Sequence, residues 1–149
     1  MTTPLQLEVR RPAGEFDVVM TLDVPSALEY VGPAVELIAR HAPASLSARR
    51  VRFNLRTALA EALANAIAYG NRHDTSRVVR VRVEADWQGV RIHVRDDGAG
   101  FDPAAVPDPT LPQNLEREVG RGLFVLRHLV DHVAFNAAGN EICLTLRAG

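Results

Sequence analysis

Cysteine is scarce in this chain of 149 residues, and neither sign of charge predominates. The single thiol, Cys143, excludes an internal disulfide and leaves no cysteine cluster for structural zinc, so a reducing compartment is expected. The 17 basic and 18 acidic residues give a formal net charge of -1. Composition therefore provides no general attraction to nucleic acid or to anionic membranes, and a charged ligand must be bound by a local group of residues.

Long apolar runs are absent as well. No window approaches the roughly 18 apolar residues that a membrane-spanning helix requires, and the N-terminal stretch MTTPLQLEVRRPAGEF has no apolar segment of the kind found in signal peptides. We therefore expect a cytoplasmic protein with no membrane partner and no direct contact with nucleic acid. The length and the 47% content of hydrophobic residues predict one compact domain, residues 1–149.

Hydrophobic periodicity predicts both strands and helices. Alternating apolar residues predict three hairpins, over 5–10 with 16–23, 77–85 with 89–96, and 134–136 with 142–146. Three- and four-residue spacing predicts three helices, over 26–41, over 47–70 and from Gly120 onward. The form Ser-x-x-Glu at Ser26 predicts that this serine caps the first helix. The aperiodic stretch 97–119, rich in Gly, Pro and Asp, is typical of a functional lid.

The second predicted helix carries two polar residues in EALANAIAYGN, namely Glu61 and Asn65. A spacing of four residues places them on one stripe of the helix, so they can act on one ligand. A carboxylate can accept a proton, and an amide oxygen is a hard, neutral ligand suited to magnesium. Taken alone, the pair is explained more simply as a solvated helix edge.

A second polar feature, VRDDGAGFDP, follows a valine-rich strand. Gly98 and Gly100 allow the backbone to bend and a flat ligand to approach closely. Asp96, at the end of the strand, can accept a hydrogen bond from an exocyclic amine such as that of adenine. A tight turn after the strand is the simpler interpretation of this segment by itself.

A third feature, Gly120-Arg121-Gly122, opens the last predicted helix. Free backbone amides at the positive end of a helix favour polyphosphate. The motif does not directly follow a strand, and the chain has no GxxxxGK[ST], so Rossmann and P-loop interpretations fail on context. The alternative is that the two glycines have no ligand and merely permit close packing of the helix.

Taken in order, these three features resemble the N, G1 and G2 boxes of the GHKL family of ATP-binding domains. EALANAIAYGN together with GRGLFVLRHLVDHV is similar, more narrowly, to the RsbW/SpoIIAB type of anti-sigma-factor serine kinases. The likeness extends from Phe16 to Leu146, nearly the whole chain. It implies an α+β two-layer sandwich, the Bergerat fold, in which helices cover one face of a mixed, mostly antiparallel sheet.

The resemblance also implies ATP and Mg2+ as cofactors and gives each box a role. Glu61 would be the general base, and Asn65 would hold Mg2+ against the phosphates. Asp96 would contact the adenine amine, with Gly98 and Gly100 shaping its pocket. Gly120 and Gly122 would donate amides to the phosphates, Arg121 would help to offset their charge, and residues 102–119 would form the nucleotide lid.

For this type of kinase, the resemblance implies phosphorylation of a serine on a STAS-domain anti-sigma antagonist. It also implies a sigma factor as a second partner and a homodimer. Tyr69 departs from the pattern, since relatives often carry a basic residue there, and Arg72 or His73 could substitute. This departure keeps open an alternative, a regulatory module that binds ATP and switches partners without transferring phosphate.

Other interpretations fit less well. A sensor histidine kinase needs a helical dimerisation hairpin beside its catalytic domain, and a GyrB- or MutL-like ATPase needs a further transducer domain. A length of 149 residues argues against both classes. His128 and His132 have the spacing of a metal-binding pair, but no third ligand is evident, so an exposed helix edge is preferred. A stripe of arginines on one sheet face is interpreted as a solvated surface rather than a partner site; it comprises Arg80, Arg82, Arg91 and Arg95.

Overall fold

A computed structural model describes residues 5–12, 14, 17–42, 46, 49–99 and 118–148. Its strands are β1 Glu8–Arg10, β2 Val18–Pro25, β3 Val78–Asp86, β4 Gly89–Arg95, β5 His132–Phe135 and β6 Glu141–Arg147. Its α-helices are α1 Val31–Arg40, α2 Arg56–Asn65 and α3 Glu118–Leu129. Wider π-helical turns extend α2 at both ends, over Arg50–Leu55 and Ala66–Gly70.

The six strands form one sheet in the order β1-β2-β3-β4-β6-β5, and every neighbouring pair is antiparallel. All three predicted hairpins are present, so the predicted α+β sandwich is confirmed. Alternation decides which face is buried: in β3, Val79, Val81 and Val83 face the helices, while Arg80 and Arg82 face outward. The sheet is antiparallel throughout the described strands rather than mixed.

Helix α2 lies between α1 and α3 on the inner face of the sheet. Its buried side chains, among them Leu59, Leu63 and Ile67, join the strand valines in one core. Burial of this kind is the main stabilising term in a domain of this size. The remaining polar stripe of α2 is thereby left at the edge of the core. Among the described helices, none is long and apolar enough to cross a membrane.

Two local predictions about helix starts were wrong. Ser26 does not cap the first helix, because its hydroxyl donates a hydrogen bond of 2.7 Å to the carbonyl oxygen of Arg77, which is 51 residues away in the sequence. A 3-10 turn, Leu28–Tyr30, precedes α1 instead. The third helix begins at Glu118 rather than Gly120, so Gly120 lies in its first turn and Gly122 in its second.

Candidate functional site

Glu61 and Asn65 lie on one half-buried stripe of α2, as predicted. Helix α3 crosses this stripe at Gly122. A Cβ atom placed on Gly122 would overlap Oε1 of Glu61 and would lie 3.0 Å from Nδ2 of Asn65. A side chain at position 122 would displace the Glu61 carboxylate, so the glycine lets the N and G2 boxes, about sixty residues apart in sequence, meet here with that carboxylate in place.

Asp96 follows β4 and lies against the end of the helix that carries Glu61. Its backbone amide donates to the carbonyl oxygen of Asn140 (3.0 Å), and its Oδ1 accepts from the amide of Gly98 (2.8 Å). A Cβ atom on Gly70 would overlap the Asp96 carboxyl, and one on Gly98 would overlap the carbonyl oxygen of Gly70. The two glycines therefore let the loop and the helix end approach each other.

The charge on Asp96 is disfavoured where it stands. Burial raises the pKa of the Asp96 carboxyl above its ordinary value, and the neighbouring Asp97 carboxylate raises this pKa further. The amide of Gly98 acts in the opposite direction by donating to the charged form. Within the described ranges, the Gly98 amide is the donor to this half-buried carboxylate, so a ligand amine would stabilise its charge by adding a further hydrogen bond.

A cavity of about 230 Å3 opens between the helices and the sheet at Asp96. Its polar lining includes Asn65 and Asp96. Its apolar lining includes Val94, Leu123, Leu126, Phe135 and Ile142. A largely apolar cavity with a carboxylate acceptor in its wall fits a flat heteroaromatic base that carries an amine.

The structure places most of the predicted site residues around this cavity. Asn65 and Asp96 line it, Gly98 lies beside Asp96, and Glu61 and Gly122 lie next to Asn65. Gly120 and Arg121 belong to the first turn of α3, where the backbone alone is described. Gly100 and residues 102–117 of the predicted lid lie outside the described residues.

Some residues at the cavity were not predicted as site residues. The turn between β5 and β6 contributes Gly139 and Asn140, and the start of β6 contributes Glu141. Arg72, considered only as a substitute cation, lines the cavity with a left-handed backbone at φ 52°. A loop that reaches the site from the last hairpin leaves no spacing signal, because its position depends on strand order rather than on local sequence.

Asn65 is the residue for which the resemblance implies a metal-binding role, and the structure places it in the lining of the cavity. Among the described residues, no group of three or more His, Cys, Asp or Glu side chains could hold a metal ion. His128 instead donates its Nδ1 hydrogen to the carbonyl oxygen of Phe124 (2.8 Å), while His132 belongs to β5. An amide oxygen such as that of Asn65 suits Mg2+, which usually takes few protein ligands and completes its shell with phosphate and water.

The predicted arginine stripe lies on the outer sheet face, away from the cavity. Arg80 is directly opposite Arg95 in the ladder, and its guanidinium lies 3.4 Å from the Asp97 carboxylate. Arg82 lies 3.5 Å from the Glu84 carboxylate. Because acids are interspersed with these arginines, the geometry supports a solvated, charge-balanced face.

Comparison with known proteins agrees with this geometry. Serine/threonine-protein kinase BtrW of Bordetella bronchiseptica is 26% identical over 99 residues, which are 65% of this chain and 70% of that protein. The anti-sigma F factors of Anoxybacillus flavithermus and Geobacillus thermodenitrificans are 32% and 31% identical over 90 residues, 58% of this chain and 61% of each relative. A model described as histidine kinase-like ATPase domain matches residues 24–146. The resemblance inferred from the three boxes is confirmed, and the chain belongs to the histidine kinase-like ATPase domain family.

Proposed function

We propose that this protein is an ATP-dependent protein serine kinase that also acts as an anti-sigma factor in a partner-switching system. The observation that carries the proposal is the cavity at which the three boxes converge: Asn65 and Asp96 line it, and Gly122 brings α3 against Glu61. The names of the relatives, a serine/threonine-protein kinase and anti-sigma F factors, support the same activity. ATP is the nucleotide that the family implies.

The base end of the site is the apolar part of the cavity. Asp96 would accept a hydrogen bond from the exocyclic amine of adenine, which relieves the cost of its half-buried charge. Val94 and Ile142, from neighbouring strands, would pack against the ring. Gly98 would keep the loop beside the base free of a side chain.

The phosphate end begins at Asn65. Its amide oxygen would hold Mg2+, which supplies charge neutralisation for the phosphates when bound. Gly120 lies among the four residues whose amides lack an intrahelical acceptor at the start of α3, so its amide would donate to a phosphate oxygen. Gly122, in the second turn, would instead leave room for Glu61, and Arg121 and Arg72 would add positive charge.

Glu61 would act as the general base. Its carboxylate lies against Gly122 and next to Asn65, outside the cavity lining, so the serine of a protein partner would approach it from the margin of the site. There it would take the proton of the incoming hydroxyl, while the rest of the site positions the phosphoryl group. The serine would belong to a STAS-domain antagonist, and the sigma factor would bind a homodimer of the kinase.

A second candidate function follows from Tyr69. This residue, 47% exposed, lines the cavity where relatives often carry a cation. A phenol cannot neutralise phosphate charge at physiological pH. In this alternative the chain would bind ATP and switch its protein partners without phosphoryl transfer.

One experiment separates the two functions. The purified protein, Mg2+ and γ-labelled ATP would be incubated with a cognate STAS protein, beside Glu61→Gln and Asn65→Ala variants. For a kinase, Glu61→Gln should lose roughly a hundredfold or more in transfer rate yet bind ATP with nearly unchanged affinity, whereas Asn65→Ala should lose both. Wild-type protein that binds ATP, regulates its sigma factor and labels no serine would establish the regulatory module instead.

A further inference from the structure

Two polar side chains are fully buried in the described part of the chain, Ser26 at 0% and Asn71 at 1% exposure. Neither is among the predicted site residues. Buried polar groups are costly unless every donor and acceptor is satisfied, so a buried amide indicates a specific set of bonds. Asn71 immediately follows Gly70, the residue packed against Asp96.

The carboxamide of Asn71 makes three hydrogen bonds to three different segments. Its Nδ2 donates to Oγ of Ser26 (3.0 Å) and to the carbonyl oxygen of Val78 (3.1 Å). Its Oδ1 accepts from the backbone amide of Asp97 (2.8 Å). The orientation of the amide is fixed, because the Asp97 amide can only donate and the Val78 carbonyl can only accept.

These bonds connect the two halves of the nucleotide site. Asn71 ends the helix that carries Glu61 and Asn65, and Asp97 follows the residue that would recognise the base. The backbone amide of Asp96 donates to Asn140 in the turn between β5 and β6, and the Gly98 amide donates to the Asp96 carboxylate. The Asp97 carboxylate accepts a hydrogen bond from Arg80 on β3. Among the bonds described for residues 96–98, the one to Asn71 is the link to the N-box helix.

The backbone around Asn71 is built to point its side chain inward. Its amide closes the π-helical turn on the carbonyl oxygen of Ala66 (2.8 Å). Arg72 and His73 then adopt left-handed conformations, at φ 52° and 59°, which non-glycine residues rarely take in succession. These two unfavourable backbone conformations directly follow Asn71, whose side chain stays buried.

We propose that Asn71 is a positioning residue for nucleobase recognition, which holds the Asp96 loop in register with the N-box helix so that the Asp96 carboxylate faces the exocyclic amine of the base. The inference rests on the nucleotide site of the proposed function but does not require phosphoryl transfer. Asn71 itself does not line the cavity. Because its bond to the Asp97 amide lies beside Asp96, its loss should affect the discrimination between bases more than phosphate binding.

The test compares the dissociation constants of ATP and inosine triphosphate, which carries a carbonyl oxygen in place of the adenine amine. Calorimetric titrations with Mg2+ would use the wild type, Asn71→Ala and Ser26→Ala. Asn71→Ala should weaken ATP binding by about tenfold and leave inosine triphosphate binding nearly unchanged. Ser26→Ala is the matched control, since it removes a buried partner of Asn71 but leaves the bond to Asp97. It should preserve the wild-type ratio of the dissociation constants for inosine triphosphate and ATP.

Equal loss of affinity for both nucleotides in Asn71→Ala, or an unchanged ratio, would overturn the inference. If Asn71→Ala is too unstable to titrate, Asn71→Ser serves instead, because its shorter side chain cannot reach all three partners of the Asn71 carboxamide. A wild type that binds neither nucleotide would overturn the site and this inference together. A wild type that prefers ATP but labels no serine would refute the kinase alone.

Discussion

Gly122 of α3 lies directly against the carboxylate of Glu61 on α2, so close that a single added methyl group would overlap Oε1. Asn65, one turn further along α2, would be 3.0 Å from the same methyl group. A glycine in the second turn of a helix costs about 1 kcal/mol relative to alanine. Here that cost is offset by a close contact between the two helices that carry the proposed base and the proposed phosphate site.

Gly122→Ala should therefore impair chemistry more than folding. The new methyl group would push the Glu61 carboxylate out of position, and misplacement of about 1 Å can lower a rate by roughly a hundredfold. We expect that loss in serine phosphorylation, with ATP affinity reduced by less than about tenfold. Gly32→Ala is the matched control, because its Cβ meets open space, and it should keep full activity. Normal transfer by Gly122→Ala would argue against Glu61 as the base.

Asp96→Asn should make the fold more stable and weaken ATP binding. A raised pKa in the folded state means that the fold favours the neutral acid, so the ionised carboxylate reduces stability at neutral pH. Asparagine keeps an oxygen for the Gly98 amide and removes the charge. The midpoint of thermal unfolding should rise by a few degrees, while ATP affinity should fall roughly tenfold or more, since the amide is a weaker acceptor than the carboxylate and presents a competing donor.

The control for this pair of measurements is Asp97→Asn. The Asp97 side chain is exposed and lies 3.4 Å from the Arg80 guanidinium, on the side away from the cavity. It should change neither the unfolding midpoint nor ATP affinity by much. If Asp96→Asn bound ATP as tightly as the wild type, Asp96 would not be the residue that recognises the adenine amine.

Much of the fold could be predicted from the sequence, because the local preferences of these residues agree with their places in the sheet and the core. Alternating valines in β3 and β4 and three- and four-residue spacing in α2 each predict an element that burial then confirms. Ser26 shows where this reasoning fails. Its capping pattern is local, but its hydroxyl bonds to Arg77, which lies 51 residues away, because strand β3 brings that carbonyl to it.

The site could be predicted in part for a similar reason. Glu61, Asn65 and Asp96 stand in motifs with fixed spacing, so the amino-acid sequence alone indicates them. Asn71 has no such signal, since a single asparagine after a helix-ending glycine usually indicates an ordinary helix terminus. Its role depends on three partners that are adjacent only after the sheet has formed, Ser26, Val78 and Asp97.

Gly89→Ala should destabilise the protein without affecting nucleotide recognition. Gly89 has φ 146°, a conformation that L-residues rarely adopt, and an added Cβ would overlap the carbonyl oxygen of Leu146 on β6. Strain and overlap together should lower the free energy of unfolding by on the order of 2–4 kcal/mol. Gly14→Ala, with φ 124° but open space around the Cβ, should cost less. Denaturant unfolding measures both, and equal losses would show that the overlap is relieved at no cost.

The pH dependence of stability should reflect His93, on the outer sheet face. The Cys143 sulfur, 4.0 Å from Nε2, and the Glu84 carboxylate, 2.6 Å from Nε2, raise the pKa of His93 from 6.5 to about 9, although partial burial acts in the opposite direction. Arg82 stands across the ladder and also lies 3.5 Å from Glu84, where it competes for that carboxylate. The protonated imidazole is therefore the form that the fold stabilises.

Because the folded pKa of His93 exceeds the unfolded one, its contribution should be fully present below pH 6.5 and lost as the pH rises through 9. With side-chain exposures of 26% for His93 and 12% for Glu84, the loss should be on the order of 2 kcal/mol. Denaturant unfolding at pH 6, 7.5 and 9 measures it. His93→Gln should flatten the decline, whereas His128→Gln, on α3, should leave it unchanged; the same decline in His93→Gln would assign the pH dependence to another group.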